Sequence, residues 1–263
     1  MLVGVGAYVA DSVQEFLNSV LPTSGLAEQA SGPPIEILDV QRNMELTGDF
    51  LLPNGVSDQQ LAAWDRGRRP TAEWLRAADA MTVGISRWEI TLVGKRSDAV
   101  AITNMRPVIA GGQCRAPIGG TLIENGSAGA DPRIILETEI DSPTPLLKYD
   151  DPRGNPQPFF PDHSISLPQG EKNTIVIIAR TSGPYCEWTI DVDYLADGRR
   201  ATMTVTAPGD DPFAVTGRID PQRYDSVFLD PLRRCSTPRP RISGAEYSAI
   251  LQSEVFDGSC AGR

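Results

Sequence analysis

The chain is 263 residues long, 40% hydrophobic and 22% charged, which is globular rather than disordered. Acidic residues outnumber basic ones by 34 to 24, and the formal charge of −10 argues against a phosphate-backbone partner and against peripheral attachment to anionic lipid. With 24 glycines and 22 prolines the chain needs many turns, as one large all-β domain with appendages or two small domains would have.

Residues 1–22 open the chain. Met1–Ala10 is apolar but only ten residues long, half of the about 20 that span a bilayer, and it lacks the basic start of a secretory signal. Val13, Phe16, Leu17, Val20 and Leu21 continue at helical spacing up to Pro22. Three readings fit: a packing helix of the domain, the lower half of a truncated membrane anchor, and an interfacial amphipathic helix. Residues 23–34, rich in Gly, Ser, Ala and Pro, read as a linker.

A β-sandwich domain is expected over 35–217. Ile35, Ile37 and Leu38–Val40 predict its first strand, with Glu36 and Asp39 facing out. A helical insertion follows at 57–79. Ser57 and Gln60 form a capping box ahead of Leu61 and Trp64, Gly67 stops that helix, and Thr71–Ala78 carries Trp74 and Leu75 on another turn or two. Tryptophans so placed are expected as lids over a sheet edge or core end.

From Ile85 the period becomes 2, with Trp88, Ile90 and Leu92 on one face. Residues 94–98 turn the chain, and Val100, Ile102, Val108 and Ile109 predict a return strand in which Pro107 marks an edge or a bulge. Asn125–Gly126 is a turn signal between strands at Thr121–Glu124 and Ile134–Ile140, and the proline-rich stretch Pro143–Pro161 reads as an extended surface loop. Strands at Ser164–Leu167 and Asn173–Arg180 flank a Pro168–Gly170 turn; the run Ile175–Ile178 is that of a strand buried on both faces. Over Pro184–Thr206 the alternation of Trp188, Ile190, Val192 and Tyr194, the pair Asp197–Gly198, and the return with Met203 and Val205 specify a hairpin. Phe213–Thr216 is read as the final strand. Strand and turn signals at roughly ten-residue intervals are the pattern of an antiparallel, immunoglobulin-like β-sandwich.

Residues 218–263 are read as an irregular tail rich in Pro and Arg, periodic only over Glu246–Phe256. The four cysteines, Cys114, Cys186, Cys235 and Cys260, are even in number, and no Cys-x-x-Cys occurs. A zinc site is not indicated, and two disulfides are the better reading over four buried thiols. Three pairings exist; Cys114–Cys186 within the β region and Cys235–Cys260 as a staple of the tail is preferred. Such bridges place the chain in an oxidising compartment outside the cytoplasm.

The residues for chemistry are sparse. His163 is the single histidine and follows a proline-rich loop, with no Gly-x-Ser-x-Gly around any serine. Glu137 with Glu139, and Asp191 with Asp193, share a strand face at i, i+2. A carboxylate pair could serve glycan hydrolysis, but this is also how a solvated face looks. Asp191, Asp193 and Asp197–Gly198 lack EF-hand spacing, and Asp150–Asp151 and Asp210–Asp211 read as turn residues rather than a calcium site. Gly111–Gly112 and Gly119–Gly120 are not phosphate loops. No catalytic, metal or cofactor residue is therefore expected.

The apolar start, the linker, Thr103–Arg106, Cys114 with Pro117–Gly120, the Gly170–Lys172 turn, Tyr185-Cys-x-Trp188 and the Asp-Gly hairpin together resemble the extracytoplasmic C-terminal domains of actinobacterial (Streptomyces-like) membrane proteins, a family without an assigned activity. The resemblance covers the chain to about Val215 and implies a location, with a membrane-spanning segment ahead of the domain. The expected function is a non-enzymatic, membrane-proximal recognition or structural module. Its partner would be a protein or a cell-surface ligand, with membrane contact only through an N-terminal anchor. A secreted carboxylate-dependent glycan hydrolase and a cytosolic assembly protein are the alternatives.

Overall fold

A computed structural model describes residues 32–44, 48–66, 68–125, 134–160, 162–230 and 239–253. The expected helix at 1–22, most of the linker, Gly126 of the expected turn, residues 231–238 and 254–263 of the tail, and both Cys235 and Cys260 with their proposed bridge lie outside the described residues.

The first part of the chain forms β1 (Ile35–Arg42), β2 (Phe50–Leu52), helix α1 (Asp58–Ala63), helix α2 (Ala72–Ala77), β3 (Met81–Thr82), β4 (Ile85–Gly94) and β5 (Val100–Ile109). The middle forms β6 (Thr121–Ile123), β7 (Ile134–Glu139), β8 (Lys148–Asp150), β9 (Pro156–Pro158), β10 (Ile165–Leu167) and β11 (Lys172–Arg180). The remainder forms β12 (Tyr185–Ala196), β13 (Arg199–Val205), β14 (Phe213–Thr216), β15 (Ser226–Phe228), β16 (Arg241–Ile242) and helix α3 (Gly244–Gln252). The protein is mainly β.

Two sheets make a sandwich. One has the order β1-β4-β11-β7-β8-β9; the other is β10-β5-β12-β13, with β14 also on β12. Their inner faces share one core. Trp88, Ile90, Leu92, Ile175 and Ile177 come from the first sheet and Ile102, Met105, Trp188, Ile190, Val192 and Phe213 from the second. The Phe213 ring lies 4.7 Å from Trp88 and 4.6 Å from Trp188, so it joins the two layers. Each such side chain withdrawn from water stabilises the fold by about 1.5–3 kcal/mol.

The hairpin forms as its alternation dictates. Asp197 and Gly198 take φ values of 50° and 71°, the paired left-handed conformation of a two-residue turn matched to strand twist. Asp197 is held there by an ion pair to Arg96 at 2.9 Å.

The β4–β5 hairpin expected around 94–98 is not formed. β4 pairs with β1 and β11, whereas β5 pairs with β10 and β12, so the chain changes sheets at this turn. The Pro168–Gly170 turn also crosses between sheets, and the two crossings are joined by the Gly170 amide donating to the Gly94 carbonyl at 2.8 Å. Alternation is the same whether the next strand pairs with its predecessor or lies across the core from it, which is why the sequence pattern misled. Pro107 lies on the stretch of β5 beyond β10, facing Ile190 of β12, so the missing N–H falls on an edge.

Three further expectations are corrected. The sheet of β10, β5, β12, β13 and β14 is antiparallel as expected, but the other two are mixed, since β11 runs parallel to β7, and β15 parallel to β6. The stretch Pro143–Pro161 is not only loop, because β8 and β9 add two short strands to the edge of the first sheet. Thr121–Ile123 and Ile134–Glu139 do not form a hairpin and lie in different sheets.

In its described residues, 218–230 and 239–253, the tail carries regular elements rather than being irregular, and Phe213–Thr216 is not the last strand. β15 and β16 complete a third sheet in the order β16-β15-β6-β2-β3. Its strands are apolar on both sides because both faces are covered. Phe50, Leu52, Ile123 and Phe228 pack with Trp64 and Leu75 at the α1 and α2 side, while Leu51, Leu122 and Val227 pack with Tyr224 and Tyr247 at the α3 side. Ser57 caps α1 in the expected box with Gln60, and a second box, Ser243 with Glu246, caps α3.

The bridge between Cys114 and Cys186 is formed. Arg115 and Tyr185 exchange backbone hydrogen bonds of 2.7 and 2.9 Å, which puts Cys114 opposite Cys186 as the adjacent non-hydrogen-bonded pair. Their Cα atoms are 4.5 Å apart, the spacing of such a pair. The bridge thus joins two neighbours along β12, whereas an immunoglobulin bridge joins the two sheets. It points to an oxidising, extracytoplasmic compartment. Among the described residues no helix is long and apolar enough to cross a membrane.

Candidate functional site

Two surface regions gather polar groups. The first is the outer face of β5, β12 and β13, where register places Arg106, Asp191 and Thr204 in one row and Asn104, Asp193 and Thr202 in the next. The Thr202 hydroxyl donates to Asp193 at 2.6 Å and the Asn104 amide at 3.2 Å; Thr204 donates to Asp191 at 3.0 Å, with Arg106 3.6 Å away. The Thr202 hydroxyl is the main reason the Asp193 carboxyl lies below the usual range. Asn104, Asp193 and Thr202 border a cleft of about 640 Å³ that Phe160 also lines. The aspartates are consumed by cross-strand partners, as a structural ladder requires.

The second region is a cleft of about 550 Å³ bounded by the end of β1, the C-terminal end of α2, β12 and the 207–214 segment. α2 ends at Ala77 with Ala78 as its C-cap, after which Asp79 adopts φ 53° and the chain enters β3. That reversal brings Arg76 and Asp79 beside Arg42 of β1. Arg42 is half-buried; its Nη2 donates to the Ala80 carbonyl at 2.8 Å and its guanidinium lies 5.8 Å from the centre of the Trp88 ring. Burial holds Arg42 below the usual arginine range, opposed by Asp79 and reinforced by Arg76. Arg76 donates from Nε to the Ala72 carbonyl of its own helix at 3.2 Å.

On the opposite wall, alternation along β12 puts Tyr185 and Glu187 on the face away from Cys186 and Trp188. The Tyr185 hydroxyl donates to Glu187 at 2.5 Å, and Arg115 completes the group with a 2.6 Å ion pair to Glu187 and a position 5.0 Å over the Tyr185 ring. Burial, then Glu187, pushes the Tyr185 phenol well above its usual value. Glu187 is thereby neutralised within the wall.

The remaining residues singled out from the sequence fall elsewhere. His163 stacks on Phe159 at 4.9 Å and meets Tyr149 edge-on at 4.9 Å, closing the aromatic end of the 143–161 stretch. Glu137 pairs with Arg180 at 3.0 Å; with Glu139 and Asp150 it borders a recess of about 240 Å³. Asp151 accepts from the Asn155 and Arg153 amides as a turn residue, and the Asn155 amide leads in holding it below the usual carboxyl range. Asp210 sits at φ 63° in the 207–211 turn, next to Asp211 on the second cleft. Among the described residues no group of three or more His, Cys, Asp or Glu side chains is placed to hold a metal ion.

No protein-family model, curated protein or solved structure matches the chain.

The arginine cleft is absent from the sequence reading. Its residues come from five stretches spread over some 170 positions, and single arginines on a strand end and a short helix look like solvated charges. Tyr185-x-Glu187 is the one local signal, two residues that share an outer strand face beside a cysteine.

Proposed function

We propose that the chain is a non-enzymatic recognition module working outside the cytoplasm, near the membrane, with its ligand in the cleft between Arg42, Arg76 and Asp211. The carrying observation is that cleft: 550 Å³ is the size of a small-ligand site, and its two guanidinium groups make only one main-chain hydrogen bond each among the described residues. By contrast, the ladder on β5, β12 and β13 satisfies its own polar groups. The disulfide supports the compartment, and the apolar 1–22 segment, with the resemblance to actinobacterial membrane proteins, supports membrane proximity. In this reading the likeness to immunoglobulin sandwiches is one of use, a rigid pair of sheets presenting a site beside their edge.

The test is backbone amide shift mapping with a panel of neutral, cationic and anionic fragments. Binding should displace resonances of residues 40–42, 76–81 and 207–214 together. Shifts that converge on residues 103–106 and 200–204 instead, or that converge nowhere, overturn the proposal.

A further inference from the structure

We infer that the cleft takes an anionic group, a carboxylate or phosphate carried on a small, partly apolar ligand, between the guanidinium groups of Arg42 and Arg76. This rests on the cleft being the recognition site and adds the chemistry of what enters it.

A guanidinium offers five N–H groups in a planar fork. Arg42 uses one on Ala80 and Arg76 uses one on Ala72. Neither is joined to a carboxylate by an ion pair among the described residues, yet they stand close enough that each repels the other. Asp79 offsets that repulsion without capping either guanidinium, so the remaining N–H donors of both are open to an anion that enters the cleft. Arg42 cannot swing away, because Trp88 lies under its guanidinium and Ala80 holds Nη2. It is fixed in place before any ligand arrives.

Three carboxylates among the described residues also line the cleft, those of Asp79, Glu187 and Asp211. Glu187 is taken by Arg115 and Tyr185. Asp79 lies on the arginine wall and offsets part of its charge, without a hydrogen bond or ion pair to either arginine. Asp211 lies on the far wall, in the 207–214 segment. The anionic end of a ligand is therefore directed to the β1–α2 wall and away from Asp211. Its apolar part would lie on Val40 and Met81 of the one wall and Pro208 and Pro212 of the other, all of which line the cleft. Arginine forks accept carboxylate and phosphate in the same two-point geometry, so the structure assigns the shared chemistry and the probes separate the sources.

The experiment measures affinities of 3-phenylpropionate, phenyl phosphate and uncharged 3-phenylpropionamide by amide shift titration. At least one charged probe should bind about tenfold more tightly than the amide, and Arg76→Gln should remove most of that advantage while leaving the amide unchanged. Arg76 is exposed, so this variant keeps its fold. Arg42→Gln, checked for folding by its spectrum, should do the same. Tighter binding of phenyl phosphate assigns a phosphate and tighter binding of 3-phenylpropionate a carboxylate. If all three probes bind the cleft equally, or if Arg76→Gln leaves the preference intact, the anion inference falls while recognition at the cleft stands. If none displaces the cleft resonances, both fall.

Discussion

The hydroxyl of Tyr247 donates a 2.8 Å hydrogen bond to Oε1 of Glu124, joining α3 to the end of β6 across 123 residues of chain. Glu124 also receives the Asp230 amide at 3.2 Å, and its carbonyl accepts from Arg239 at 2.5 Å. Tyr247, Glu124 and Arg239 are all nearly inaccessible to solvent, so the chain beyond Gly217 is latched to the third sheet from inside. Tyr247→Phe keeps the ring and removes the donor. It is expected to cost about 1–2 kcal/mol, read from the urea midpoint, with α3 fraying first in hydrogen exchange. An unchanged midpoint would mean that the latch is carried by apolar contact alone.

The same phenols set an alkaline limit. Burial and a neighbouring glutamate push both Tyr185 and Tyr247 well above the ordinary tyrosine value. Their folded forms keep a proton that the unfolded chain gives up near pH 10. The unfolded state therefore binds fewer protons above that pH, and stability falls as pH rises. The urea midpoint should be flat from about pH 8 to 9.5 and decline above about 10, with a shallower decline in Tyr247→Phe. A midpoint that rises over this window would contradict the assignment.

Two glycines separate conformational from steric demand. At Gly198 the need is the left-handed φ of 71° with open space around it, so Gly198→Ala should cost about 1 kcal/mol. At Gly244, the first residue of α3, a Cβ would fall 2.5 Å from the Tyr224 carbonyl oxygen and 2.6 Å from that of Pro221. Gly244→Ala should cost more, about 2–3 kcal/mol, since the obstacle is backbone on both sides. Equal losses at the two sites would refute the close packing of α3 on the 221–224 turn.

The Cys114–Cys186 bridge closes a loop of 72 residues in sequence separation. Loop entropy puts its contribution at about 4 kcal/mol, and native bridges span about 2–5. Replacing both cysteines with alanine should lower stability within that range, with the β12 amides near 185–188 losing protection from exchange. Loss of only a few tenths of a kcal/mol would mean that the Arg115–Tyr185 pairing holds the edge without the bridge.

The sequence was most readable where one short stretch decides its own structure. Asp197–Gly198 between two alternating runs, and Ser57 three residues before Gln60, each carry their geometry locally. Cysteine parity and spacing likewise led to Cys114–Cys186. The third sheet was hidden because its strands are two or three residues long, too short for a period, and pair across 70 to 100 positions. Ser243 with Glu246 is a capping box of the same form as Ser57 with Gln60, so the order of the tail was partly legible there. Of the Arg42–Arg76 cleft only Tyr185-x-Glu187 left a local signal, and the arginine wall was not legible. Nothing in a strand end and a helix end reveals that a left-handed Asp79 will fold one back beside the other.

The central claim, that the chain recognises a ligand in the cleft between Arg42, Arg76 and Asp211, is tested most directly by hydrogen-exchange mass spectrometry. The intact protein would be compared with and without solubilised envelope material from its own organism. Protection should concentrate in peptides covering residues 38–44, 76–82, 185–188 and 207–214, and should fade in Arg76→Gln. Protection confined to residues 103–106 and 200–204, or no protection at any peptide, would contradict it.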